Sequence, residues 1–342
     1  MIKIIVDCYG GDYSPKAQVI GAIAALKQND DLAVTLVGNA DELNGILSEL
    51  DCDGVKDDAL EVLNAKDVVT CNDKPTEALK LKPDSSMNVA FELLRNDSTC
   101  GGIVTSGSTG AALVGGIFKV GRIKGIRRPC LCPILPTLGE KKVLLVDCGA
   151  NVDCKASDLK QFALMGSIYC RELFGIEKPK VAILSNGTED EKGCALSKEA
   201  FTLIKDMKDI EFCGNMEARD IFSGKYDVIV SDGFYGNVAL KSAEGAINLC
   251  FATIKDQVKK SFWSKIGALL MKKAFKGVKT KIDYNKLGGA VLLGVNKAVV
   301  KAHGAAKDGT IEKSILQAYY LAKRSVPDKI AENLENCDDG EV

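Results

Sequence analysis

Four short segments set hydroxyl, carboxylate or amide side chains among glycines. They are Asp7-Cys8-Tyr9-Gly10-Gly11-Asp12, Thr105-Ser106-Gly107-Ser108-Thr109-Gly110-Ala111, Asp147-Cys148-Gly149-Ala150-Asn151 and Ser231-Asp232-Gly233-Phe234-Tyr235-Gly236-Asn237. Glycine permits left-handed turns, and backbone N–H groups gathered at a helix start attract anions. One such loop is no more than a strand-to-helix turn capped by Asp, Ser or Asn. Four in one chain point to a shared site. Ser106, Ser108 and Thr109, set between Gly107 and Gly110, add side-chain donors suited to phosphate oxygens. Gly10, Gly11, Asp12, Asn151, Asp232 and Gly236 stand in the companion loops as further phosphate or substrate contacts. No Gly-x-x-x-x-Gly-Lys-Ser/Thr occurs, and the first loop lacks Gly-x-Gly-x-x-Gly, so nucleotide and dinucleotide readings lose their main support.

Three further residues carry chemistry. Lys192 closes Leu184-Ser185-Asn186-Gly187-Thr188-Glu189-Asp190-Glu191-Lys192-Gly193, where it is either a solvated partner of a carboxylate or a cation for a phosphate or oxyanion. Asn237 ends the fourth loop as an amide donor. His303, the single histidine, follows an apolar strand and reads equally as a general base or as a structural residue satisfied by a loop carbonyl.

These residues need a scaffold that presents loops at strand ends. β-branched runs supply one: Ile2–Val6, Ala33–Val37, Gly102–Thr105, Val143–Val146, Val181–Leu184, Glu211–Cys213 and Val228–Val230 read as strands. Amphipathic stretches lie between them, among them Ala17–Lys27, Met87–Leu94, Asp158–Leu173 and Leu196–Met207. The alternation predicts a three-layer α/β/α, Rossmann-like fold with a largely parallel sheet and a ligand site beyond the carboxyl ends of its strands. No repeat or linker divides the chain, so residues 1–330 are expected as one domain and the acidic stretch 331–342 as a flexible tail.

Composition narrows the function further. The 342 residues carry 45 basic and 46 acidic side chains, a net charge of −1 that gives no global field for nucleic acid. Thirteen cysteines are an odd number without a leading signal peptide, which favours a reduced, cytoplasmic protein over a disulfide scaffold. With no Cys-x-x-Cys pair and one histidine, no metal site is expected. The charge is not uniform: between Gln257 and Ile282 lie eight lysines and no acid, beside Phe262, Trp263, Ile266, Leu269, Leu270, Met271 and Phe275. This basic amphipathic segment, at about 250–282, suits an anionic membrane or an acidic partner helix through Lys259, Lys260, Trp263, Lys265, Lys272, Lys273 and Lys276. A surface helix packed on the core or across a dimer interface accounts for the same pattern.

A co-linear series of motifs over residues 1 to 325 resembles one family. The series runs GGD-x-x-P, DSSM (Asp84 to Met87), SGSTGA, RRP (Arg127 to Pro129), D-x-GAN, QFALMG (Gln161 to Gly166), NGTEDEKG, CGNMEARD (Cys213 to Asp220), SDGFYGNVALK (Ser231 to Lys241), GGAVLLG (Gly288 to Gly294) and AHG (Ala302 to Gly304). It is similar to that of the PlsX family, acyl-acyl carrier protein:phosphate acyltransferases of bacterial phospholipid synthesis. The resemblance implies that inorganic phosphate attacks the thioester of a fatty acyl group on acyl carrier protein, giving acyl phosphate and free carrier protein. It also implies a homodimer with an isocitrate/isopropylmalate dehydrogenase-like fold, no cofactor, and a place before a downstream glycerol-3-phosphate acyltransferase. Lys241 joins the substrate contacts on the same ground. Cys8-Tyr9 departs from the family's usual methionine-rich pair without touching the chemistry.

Phosphate is already ionised near pH 7, so such an enzyme needs positioning and oxyanion donors more than a Ser-His-Asp apparatus. Lys192, Asn237 and the Ser106–Gly110 amides are suited to that work, with His303 beside them. Two other classes stay open at the level of sequence. A dehydrogenase on the same architecture would need the missing dinucleotide fingerprint. A non-catalytic membrane-surface scaffold would have no use for four polar loops.

Overall fold

The computed structural model describes residues 1–70, 72–283 and 287–338. Its strands, in chain order, are β1 Ile2–Asp7, β2 Leu32–Gly38, β3 Leu60–Asn64, β4 Cys100–Thr105, β5 Cys130–Cys132, β6 Ile134–Pro136, β7 Lys142–Val146, β8 Lys180–Ser185, β9 Glu211–Glu217, β10 Val228–Val230, β11 Ala290–Leu293 and β12 Ala298–Lys301. They form two sheets, ordered β3-β2-β1-β4-β12-β11-β5 and β6-β7-β10-β8-β9. Seven of the ten strand pairings are parallel. The α/β class with a largely parallel sheet is therefore observed, with the sheet divided in two.

Strand alternation builds the layers. In β1, Ile4 and Val6 face one side, with Val19, Ile23, Ile311 and Ile315 of the helices Lys16–Leu26 and Asp308–Lys323. Ile5 faces the other, with Met87 and Phe91 of the helix Ser86–Asn96. In the second sheet, Val146, Val228 and Val230 pack on Phe162 and Met165 of the helix Ala156–Phe174. Val143, Leu145 and Ile229 face Ala239 and Leu240 of the helix Gly233–Lys259. Burying each of these large apolar side chains stabilises the fold by roughly 1.5–3 kcal/mol. One core cluster contains both Ile4 and Val146, so the apolar interior is continuous across the two sheets.

The division falls at a proline. β5 pairs antiparallel with β11 in the first sheet, Pro133 interrupts it, and β6 pairs antiparallel with β7 in the second. Residues 331–338 of the expected acidic tail continue the helix Val326–Asp338, and the last four residues lie outside the described ones.

The basic segment is helical in three pieces: the end of Gly233–Lys259, then Phe262–Leu270, then Lys272–Ile282. Neither of the two shorter helices has a buried residue. Trp263 is 77% and Leu270 81% exposed. Ile282 returns to lie near Leu240 and Ile247, so the intervening residues form an arm with a closed base. Among the described residues, no helix is long and apolar enough to cross a membrane.

Candidate active site

Each sheet places a buried aspartate at the carboxyl end of its organising strand. Asp7 ends β1 and accepts from Ser86 Oγ at 2.6 Å, Thr105 Oγ1 at 2.7 Å and the Tyr9 amide at 3.3 Å. Thr105 Oγ1 in turn accepts from the Gly107 amide at 3.1 Å. Asp147 follows β7 and accepts from the amides of Leu131 at 2.9 Å, Ala150 at 3.2 Å and Asn151 at 2.7 Å, and from Asn151 Nδ2 at 3.0 Å. Burial raises the pKa of both carboxyls, against the pull of these donors. Each loop set is thus tied down by a buried carboxyl group.

The first set joins Gly10, Gly11 and the 106–110 loop. A Cβ on Gly10 would lie 2.6 Å from Gly107 Cα, and Gly10 has a φ of +87°, so glycine is required twice over. Ser106 is buried, and its Oγ accepts from Gln18 Nε2 at 2.8 Å. Ser108 caps the helix Thr109–Gly115 by accepting from the Ala111 amide. Thr109 is exposed at its first turn. Gly110 faces Pro75, which a Cβ would approach to 2.5 Å; bulk there disturbs packing against the helix Pro75–Leu81 before it reaches an anion.

The second set joins the loops after β7 and β10. Asp232 caps the helix Gly233–Lys259, accepting from the Tyr235 amide at 2.8 Å. A Cβ on Gly236 would fall 2.0 Å from the Asp147 carbonyl oxygen, so this glycine serves close packing. Asn151 spends both amide hydrogens on Pro129 O and Asp147 Oδ2, leaving none for a substrate. Asn237 is exposed and lies against Gly149. Lys241 pairs with Glu244 at 2.8 Å, and Lys260 with Asp256 at 3.0 Å, so neither is an unopposed cation.

Lys192 is exposed at the end of the loop after β8, the strand beside β10, and its stem packs along Gly187. Lys192 and Asn237 therefore follow neighbouring strands. Sequence reasoning passed over the group that holds Lys192 in place. Asn215, in β9 and 3% exposed, donates from Nδ2 to Glu189 O at 2.8 Å and Lys192 O at 3.4 Å. Its signal was the amide inside the CGNMEARD run.

His303 follows β12, and the charges acting on its ring come from both halves: Lys241 and Glu244 of the second, Lys301 and Asp12 of the first. The Asp12 amide also donates to Gly304 O at 2.8 Å. His303 therefore lies within electrostatic reach of groups from both loop sets. Partial burial of the ring, then the Lys241 ammonium, hold the imidazole below its ordinary pKa. Nδ1 accepts from the Ala305 amide at 3.1 Å, so the neutral ring carries its proton on Nε2 and presents a donor, not a base. Among the described residues there is no cluster of metal-ligating side chains.

Against solved structures, the phosphotransacetylase from Streptococcus pyogenes matches with a TM-score of 0.62 over 94% of both chains, at 19% identity. That likeness defines the class of fold: an α/β architecture shared with that phosphotransacetylase. The sequence matches the family described as fatty acid synthesis protein over residues 2–329. It is 41% identical over 338 residues to the phosphate acyltransferase of Dictyoglomus turgidum, covering 99% of each chain. It is 42% identical over 334 residues to that of Clostridium novyi, covering 98% of this chain and 99% of the relative. The chain belongs to the PlsX family of phosphate acyltransferases, and it is an acyltransferase.

Proposed function

We propose that the protein transfers a fatty acyl group from acyl carrier protein to inorganic phosphate. What supports this best is the pair of glycine-rich loop sets at strand ends, one with the Ser108-capped helix start and the other with the exposed Asn237, in a chain that matches phosphate acyltransferases over nearly its whole length. A phosphate oxygen attacks the thioester carbonyl carbon, the C–O bond forms as the C–S bond breaks, and the electron pair leaves on the carrier's sulfur, which takes up a proton. The products are acyl phosphate and free carrier thiol. The 106–110 loop positions the phosphate dianion, and Lys192, Asn237 and the Nε2–H of His303 stabilise the charge that develops on the carbonyl oxygen. Asp7, Asp147 and Asp232 hold loops and helix starts, their oxygens taken up by backbone and side-chain donors.

The test is release of carrier thiol from palmitoyl-acyl carrier protein as phosphate is titrated. The parent should release thiol in proportion to bound phosphate. Lys192→Ala and Asn237→Ala should each lose about 3 kcal/mol of transition-state stabilisation, on the order of a hundredfold in turnover. Folded variants within threefold of the parent would reassign both side chains.

Docking belongs to the arm. Its lysines and exposed Trp263 and Leu270 suit acidic carrier protein and anionic lipid alike. Homodimer formation and delivery of acyl phosphate to a glycerol-3-phosphate acyltransferase complete this reading.

A further inference from the structure

A cavity of about 720 Å³ opens beside the site, between the helix Gly233–Lys259 and the carboxyl ends of β8 and β10. Its volume lies within the range of small-molecule sites. The lining is divided by chemistry. Polar groups, Ser185, Asn186, Ser231 and Asp232, stand at the strand ends. The remainder is largely apolar, and includes Ile183, Leu159, Ile221 and Phe222. One face of the long helix completes it: Tyr235, Val238, Ala239, Ser242, Ala243 and Ala246 recur at helical spacing. That stripe runs about 16 Å at 1.5 Å per residue. Its small side chains leave the space that larger ones would fill.

Two features tie the cavity to the chemistry. The lining residues Gly193 and Val238 directly follow Lys192 and Asn237 in the chain. Ser185 Oγ, at the polar end, is buried without a hydrogen-bond partner. Tyr235 and Val238 are 53% and 47% exposed although they line the cavity, so its mouth is open.

We propose that this cavity is the acyl-chain channel: a saturated hydrocarbon chain lies along the Tyr235–Ala246 stripe, with the thioester at the polar end beside Lys192 and Asn237. The proposal rests on the acyl-transfer reading above. A hydrocarbon is the occupant that a largely apolar wall, with its amide and carboxylate at one end and only hydroxyls elsewhere, selects. Each methylene seated there strengthens binding about fourfold, from roughly 0.8 kcal/mol per buried CH₂.

The experiment compares kcat/KM for palmitoyl- and octanoyl-acyl carrier protein in the parent, Ala239→Phe and Ala246→Phe. The ratio of long to short is internal to each preparation, so a fraction of inactive protein cancels from it. Filling the channel should lower the ratio on the order of tenfold, as about two methylenes lose their seat. Turnover with an unchanged ratio overturns the channel and leaves the reaction standing. No phosphate-dependent release from any donor overturns the reaction and the channel with it. Should both variants fail to fold, alkylation of the parent decides. Cys194 lines the cavity and is exposed, whereas Cys250 is exposed outside the lining, so each reports by peptide mass spectrometry. Palmitoyl-acyl carrier protein should slow labelling of Cys194 relative to Cys250; equal rates with and without it count against the proposal.

Discussion

His303 shows how one backbone contact sets what a side chain can do. Its Nδ1 accepts the Ala305 amide at 3.1 Å, and protonation of the ring would place an N–H where that acceptor stands. The folded protein holds the imidazole below its ordinary pKa, so the folded state binds fewer protons than the unfolded chain below about pH 6.5. The neutral arrangement is complete above that value and is lost as pH falls through the lowered pKa. The kcat/KM of the parent should fall on the acid side of about pH 6.5. In His303→Asn, whose amide oxygen still accepts from Ala305, that limb should vanish from a pH–rate profile; a limb that stays places the titration on another group. The sequence placed His303 near the site but left base and structural readings level. A tautomer depends on which neighbour donates to which nitrogen, and spacing does not encode that.

At the scale of elements, the strands read most easily were those with β-branched runs and both faces covered. The prediction Val228–Val230 matches β10, and Ile2–Val6 falls one residue short of β1. β3, β5, β6 and β11 escaped for physical reasons. Leu60–Asn64 is a half-exposed edge strand carrying Glu61, and β5 and β6 are three residues each around Pro133. Ala290–Leu293 was visible only as the motif GGAVLLG: it is four residues long, and one of its two partners, β5, lies far away in sequence. Asn215 belongs to the same scale, because it joins β9 to the loop that ends at Lys192. Asn215→Leu removes two donors to that loop, worth about 1 kcal/mol each. We expect kcat to fall roughly tenfold, the equivalent of about 1.4 kcal/mol, while the KM for phosphate changes less than threefold. Steady-state kinetics at varied phosphate, with the folded fraction measured by circular dichroism, would show it; a kcat loss no larger than the unfolded fraction would mean general unfolding instead of a displaced lysine.

For the whole molecule, the net charge of −1 conceals a basic arm on a protein that is elsewhere slightly acidic. The charge run was legible from the sequence; the pairing of Lys260 with Asp256 was not, since that acid lies just outside the run. Lys259, Lys272 and Lys276 should each contribute on the order of 1 kcal/mol near an anionic surface, less as salt shortens the Debye length. Reversing all three to Glu should raise the apparent KM for acyl carrier protein at least tenfold, or release the protein from anionic vesicles, with thermal stability unchanged. Loss of vesicle binding with KM intact identifies lipid as the partner. Both unchanged would make the run a solvated face.

The helix Gly233–Lys259 begins at the Asp232 cap, carries Asn237, and continues unbroken for 27 residues to the base of the basic arm. At 1.5 Å per residue it is a rod about 40 Å long. A rod transmits displacement without needing a relay of side chains. On the proposed reading, whatever seats the arm also sets the tilt of the first turn, and with it the position of the Asn237 amide. Docking and alignment would on that reading be two ends of one lever, and a kink along it would uncouple them while leaving each end intact.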